Sequence, residues 1–259
     1  MWIYKAPLWG VLLMVTLILQ GAALAAYWIG AKYRERHPNT DVGAATEFIP
    51  STILGILALM IGFTFSLASG RYEHRRQLVV DEANELTTSY ERAWLIKSDE
   101  RKEIIRLLRV YVDERINQYQ EPFFSERFRE LEARLSSIEN QIWTSVRRAV
   151  HENGAIFENA LVASLDDLFD LRMSRNFALI KTLPQAVYWA IILIAVAGVG
   201  TYNFNRGLRK NQGPGAAGTL ALLLSIILVM IVDLDRPTSG AIRISQDALI
   251  AARESINRE

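Results

Sequence analysis

Side chains able to do acid–base or metal chemistry fall in two acidic clusters, Asp81-Glu82-Glu85 and Asp166-Asp167-Asp170, with three scattered histidines, His37, His74 and His151. A metal centre needs His, Cys or carboxylate ligands brought together at ligand spacing. The chain has no cysteine, which removes thiolate catalysis, disulfides and Cys-based zinc sites. No histidine is placed to complete either acidic cluster, and on helices these spacings read as solvated faces. No nucleophile elbow, phosphate loop or HExxH pattern occurs. The run from Pro214 to Gly218, PGAAG, lacks the Lys-Ser/Thr of a phosphate loop. The expectation is a protein that is not an enzyme, with no metal and no cofactor. A net charge of +1 over 259 residues gives no electrostatic ground for nucleic-acid binding.

The elements around these residues are membrane elements. The sequence is 51% hydrophobic, and four long apolar stretches, 7–30, 48–70, 184–205 and 214–232, each reach the twenty or so residues that span a hydrocarbon core. They lack the polar stripe of a buried soluble helix. Trp2, Tyr4, Trp9, Tyr27, Trp28, Tyr188, Trp189 and Tyr202 cluster at their ends, as an interfacial belt does. In the first stretch Ala23-Leu24-Ala25 mimics a signal-peptide cleavage site, but the apolar run continues past it, so an uncleaved span is expected. The first three spans contain no Asp, Glu, Lys, Arg or His, which argues against a proton relay or a transporter and leaves open a passive path lined by small and apolar groups. Span two carries small residues every fourth position, Ala58, Gly62, Ser66 and Gly70, which reads first as close helix packing. Gly55, Leu59 and Phe63 adjoin that stripe.

Residues 71–183 hold 18 Lys/Arg and 20 Asp/Glu. Helical spacing runs throughout. Val79, Ala83, Leu86, Tyr90 and Trp94 mark a first helix face. Ser98 reads as a cap, and Ile105, Leu108, Val112 and Tyr119 mark a second helix ending before Pro122. Ser125 caps a third, with Phe128, Leu131, Leu135, Ile138, Ile142 and Ala149 on its seam. Asn153-Gly154 stops it, and Phe157, Leu161, Leu165, Leu168 and Leu171 mark a fourth. The first and fourth are expected to continue directly out of spans two and three. Beyond span four, Asp233, Asp235 and Arg236 sit at the membrane boundary, followed by Pro237, a helix stop, and Gly240, a turn. These charges read as a structural clamp, with the Arg71–Arg76 segment as a partner.

The organisation expected is therefore all-α: an N-terminal membrane hairpin (1–70), a helical extramembrane domain (71–183), a C-terminal membrane hairpin (184–233) and a tail (234–259). The basic ends of the charged block, Arg71, Arg75 and Arg76 at one and Arg172, Arg175 and Lys181 at the other, place that block and both termini in the cytoplasm by the positive-inside rule.

Two segments resemble a known family. Gly62-Phe63-Thr64-Phe65-Ser66-Leu67, followed by Arg71-Tyr72, is similar to the bestrophin pore helix. The segments 71–84, RYEHRRQLVVDEAN, and 233–246, DLDRPTSGAIRISQ, resemble the bacterial bestrophin-like membrane proteins. This resemblance implies residence in a bacterial inner membrane and a homo-oligomer, pentameric in true bestrophins, with span two around a central pore that passes small anions such as chloride. Carried over by position, Phe63, Leu59 and Gly55 fall in the hydrophobic neck, with Ser66 as a further lining residue. Gly55 departs from the bulky pattern. The dense acidic run of the bestrophin calcium clasp is missing, so calcium gating is not implied. The alternative reading is a non-conducting membrane sensor or scaffold built on the helical domain.

Overall fold

The structure is a computed structural model that describes residues 6–38, 45–123, 125–153, 156–209 and 215–258. Trp2, Tyr4, Gly154 and Pro214, named above, lie outside them, as do the side chains of His151 and Phe157. Among the described residues the regular structure is entirely α-helical. The helices are α1 (Leu8–Arg36), α2 (Ala45–Trp94), α3 (Arg101–Gln120), α4 (Glu126–Asn153), α5 (Ile156–Ile180), α6 (Gln185–Leu208), α7 (Gly215–Asp235) and α8 (Asp247–Arg258). Four of the helical stretches are long and apolar enough to cross a membrane, and the helical bundle lies between the second and third of them.

The chain divides into two units. The first comprises Met1–Gly70, Thr182–Arg236 and Gly240–Ile242. Its core is built from stripes at helical spacing: Val11, Val15, Leu19 and Ala23 on α1, Leu57 on α2, Ile191, Ala195 and Val199 on α6, and Ala221, Leu224 and Leu228 on α7. α1 and α6 cross most closely at two glycines. A Cβ on Gly30 would collide with the carbonyl oxygen of Phe204, and one on Gly207 with that of Tyr27. Ala23 lies in this core, on a helix that runs unbroken past the cleavage-like triplet. Trp9, Trp28 and Trp189 are exposed as belt residues are, but Tyr188 is buried, because its hydroxyl is engaged by Asp235.

The second unit comprises Arg71–Lys181, Pro237–Ser239 and Arg243–Glu259. Apolar stripes of α2, α3, α4, α5 and α8 form one continuous core. Ser125 Oγ accepts the N–H of Phe128 at 3.0 Å, the cap expected at the start of α4. Ser98 Oγ accepts the N–H of Glu100 at 3.2 Å, one turn ahead of α3. The buried stripe of α2 continues from Tyr90 to Ala93, and Trp94 is exposed. The alternation of three and four residues through 79, 83, 86 and 90 leads to 93, so Trp94 falls off the seam.

Continuity with the spans is found on one side of the block. α2 passes through Gly70-Arg71 without interruption, whereas α5 ends at Ile180 and α6 begins at Gln185. Pro184 explains the break: it has no N–H to donate, and its ring disfavours helical geometry at Leu183. Beyond α7, residues read only as a tail fold into α8, which packs Leu249, Ala252 and Ile256 into the core of the second unit.

Candidate functional site

In the first unit the candidate pore-lining residues share one face of α2. Leu57, Thr64 and Ala68 point into the unit. Thr64 Oγ1 donates to the carbonyl of Met60 at 2.7 Å, which satisfies its hydroxyl within the helix. On the opposite side Phe63 is 63% exposed and Leu59 60% exposed, with Gly55 and Ser66 exposed on either side of them along the helix. A Cβ added at Gly55, Gly62 or Gly70 would meet nothing within 4 Å. Among the described residues the small-residue stripe therefore makes no close packing within one protomer.

The boundary charges at the end of α7 hold specific partners in the same unit. Asp233 accepts the N–H groups of Ala241 (3.1 Å, Oδ1) and Ile242 (2.9 Å, Oδ2). This fold-back needs Gly240, whose φ is +133° and whose Cβ position is filled by the Asp233 carboxylate. Asp235 Oδ2 accepts the Leu183 N–H at 2.8 Å and the Tyr188 hydroxyl at 3.0 Å. A carboxylate at the C-terminal end of a helix opposes that helix's dipole. Here it also lies at the N-terminal end of α6, where helix donors welcome a negative charge. Arg236 donates to the carbonyl of Ala6 at 2.8 Å, tying the end of α7 to the start of α1. At the other end of the unit, Arg34 donates to the carbonyls of Gly207 (2.9 Å) and Arg209 (2.8 Å), capping α6. Between the ends, the Gln20 amide donates to the Gly218 carbonyl at 2.8 Å. Arg34, Gln20 and the Gly30–Gly207 crossing were not singled out from sequence, since single polar or small residues in an apolar run carry no period.

The second unit contains a buried ion network that sequence reading also missed. Glu82, assigned above to a solvated acidic cluster, is fully buried, while Asp166, Asp167 and Asp170 are exposed. The signal was present: Glu82 lies three residues after Val79 and four before Leu86, on the stripe itself. Its Oε1 accepts from Arg115 Nε at 2.6 Å and from the Tyr111 hydroxyl at 3.2 Å. Its Oε2 accepts from Arg115 at 2.9 Å and from Arg175. Burial pushes this carboxyl up, but Arg115 and Arg175 outweigh it and hold its pKa at about 2. Burial also raises the Tyr111 phenol well above its ordinary value. Arg172 pairs with Glu132 and Glu139 beside this group. Arg75, Arg172 and Arg175, counted above among the basic ends of the block, are interior side chains of the domain. Arg71, on α2 at the start of this unit, is partly exposed. Among the described residues no group of three or more His, Asp and Glu converges as a metal site.

The Bestrophin-like domain family matches residues 7–249. The chain belongs to this family. Its fold is similar to solved bacterial bestrophin homologues from Klebsiella pneumoniae: one at 17% identity with a TM-score of 0.68, over 95% of this chain and 96% of that one, and another at 16% identity with a TM-score of 0.65, over 95% and 98%. No curated protein matches the sequence. This bestrophin-like chain is a multi-pass membrane protein of the channel or channel-like class.

Proposed function

We propose that copies of this bestrophin-like chain assemble with the bare face of α2 around a common axis and pass small anions such as chloride through the path so enclosed. The observation that carries the reading is the face itself. Gly55, Leu59, Phe63 and Ser66 are exposed among the described residues, and a Cβ at Gly55 would meet nothing within 4 Å; small residues gain little from lipid but much from close approach of a second helix. In that assembly, pentameric as in bestrophins, Phe63 and Leu59 form an apolar constriction that gates by dewetting. Gly55 leaves it wider at one level. Asp233, Asp235 and Arg236 serve as a clamp that fixes the ends of α1, α6 and α7, with Arg71 at the start of the basic segment of α2 that follows its apolar span. The helical domain and both termini face the cytoplasm, and the protein resides in the plasma membrane of a bacterium.

The test is halide flux from liposomes containing the purified chain. Flux is expected from the wild type, and a higher rate from Phe63→Ala, because removing the ring lowers the dewetting barrier. Absence of flux in both proteins, over several voltages and lipid mixtures, would overturn conduction in favour of a non-conducting scaffold.

A further inference from the structure

We propose that the membrane unit carries a binding site for one acyl tail of a phospholipid, in an apolar cavity between α6 and α7 with α1 behind it. The site belongs to the first unit alone and does not depend on conduction through α2. The cavity follows from how the helices pair. α1 packs along both α6 and α7, whereas α6 and α7 touch each other little. The gap left between them measures about 100 Å³. α1 lines it from Val11 to Ile18, α6 from Gln185 to Ile192 and α7 from Leu228 to Val232. Among the described residues none of α2 lines it, so it is separate from the face proposed above to meet other copies.

Depth and polarity identify the occupant. All three linings reach the same end of the unit, where α1 starts at Leu8, α6 starts at Gln185 and α7 stops at Asp235. The Tyr188 hydroxyl on Asp235 and the Arg236 guanidinium on the Ala6 carbonyl tie that end together. With a rise of 1.5 Å per residue, Ile18 and Ile192 lie roughly 10–15 Å further in, about half the depth of a hydrocarbon core. The cavity therefore runs the depth of one leaflet. Its polar walls, Gln185, Tyr188 and Trp189, stand toward the boundary, and every other lining residue is apolar. A tail hanging from a headgroup at the boundary has the same order, polar first and apolar beyond. Ile18 and Trp189 are exposed, so the cavity opens sideways toward hydrocarbon. Water is a poor occupant, because it needs two to four polar partners, and the Tyr188 hydroxyl already donates to Asp235. Left empty, the walls forfeit dispersion contacts. A lipid tail restores them, and lipid tails are the medium at this depth.

The probe is phosphatidylcholine with a photoactivatable diazirine in the middle of one tail, in liposomes holding the full-length chain. After irradiation the adducts are mapped by mass spectrometry. Leu193, exposed on α6, should be labelled as any lipid-facing residue is. Val15, Ile191 and Val229 are buried walls of the cavity and should be labelled because a tail enters. Leu19, buried in the same core but not lining the cavity, should stay unlabelled. Val229→Phe and, across the gap, Ile192→Phe each put a ring into the cavity. In both, label on Val15 and Ile191 should be lost while label on Leu193 persists. Wild-type label confined to Leu193, label on Leu19 equal to that on Ile191, or cavity label that survives both fillings would overturn the site, and the first two results need no variant to fold. Cavity labelling by a diazirine fatty acid but not by the phospholipid would overturn the lipid in favour of a detached acid. An unlabelled cavity together with loss of the oligomer in both filled variants would give the surface to a second copy. None of these outcomes involves halide flux, so this site and the conducting reading fail separately.

Discussion

Glu82 is the residue on which the extramembrane core turns. Replacing it with Ala leaves Arg115 and Arg175 buried without their shared counter-charge, and such a loss costs about 3–5 kcal/mol. Chemical unfolding of the purified protein should register it. The pH dependence has a fixed sign. The carboxyl titrates at about 2 in the fold against 4.5 ordinarily, so its stabilisation is complete above pH 4.5 and is lost as the pH falls from there toward 2. Glu139, whose carboxyl burial raises in spite of Arg172, works in the opposite sense. Unfolding midpoints measured across this acid range should therefore drop more steeply in the wild type than in Glu82→Gln. Asp235 makes a second residue-scale case. Asp235→Ala deprives Leu183 and Tyr188 of their acceptor, and the yield of assembled protein should decline without a change in ion preference, read by size exclusion and flux together.

At the scale of elements, spans and stripes were legible because they are periodic and long. Hydropathy placed four spans, and the run 79, 83, 86, 90 placed the core face of α2. What escaped was information held between elements. Asp233 finds its donors in the turn at 241–242, and no spacing on α7 announces that. The break before α6 was legible in Pro184, yet apolar continuity masked it. The candidate pore face was legible only through family resemblance, since exposed Gly55, Leu59 and Phe63 look like any lipid-facing residues. The glycines divide on the same principle. Gly207→Val should prevent α1 and α6 from closing, leaving little folded protein after detergent extraction. Gly62→Ala meets open space and should leave the protomer's own fold and melting behaviour unchanged.

For the whole molecule, self-association through α2 can be tested cleanly because the native chain has no cysteine. Ser66→Cys is the sole thiol in its variant. Mild oxidation in membranes should join neighbouring copies into a species of twice the mass on a non-reducing gel. Leu57→Cys, on the packed side of the same helix, should give none. Equal crosslinking at both positions would remove the shared axis and with it the enclosed path.

The meeting of α1 and α6 at Gly30 and Gly207 has a mechanical consequence. Backbone lies directly on backbone there, with no rotamer available to absorb a slide, and Arg34 fastens the adjacent carbonyls. That crossing is a fulcrum: when the membrane unit changes shape, these two helices tilt as one piece, α7 is held to them through Arg236 and Gln20, and the compliance falls to α2.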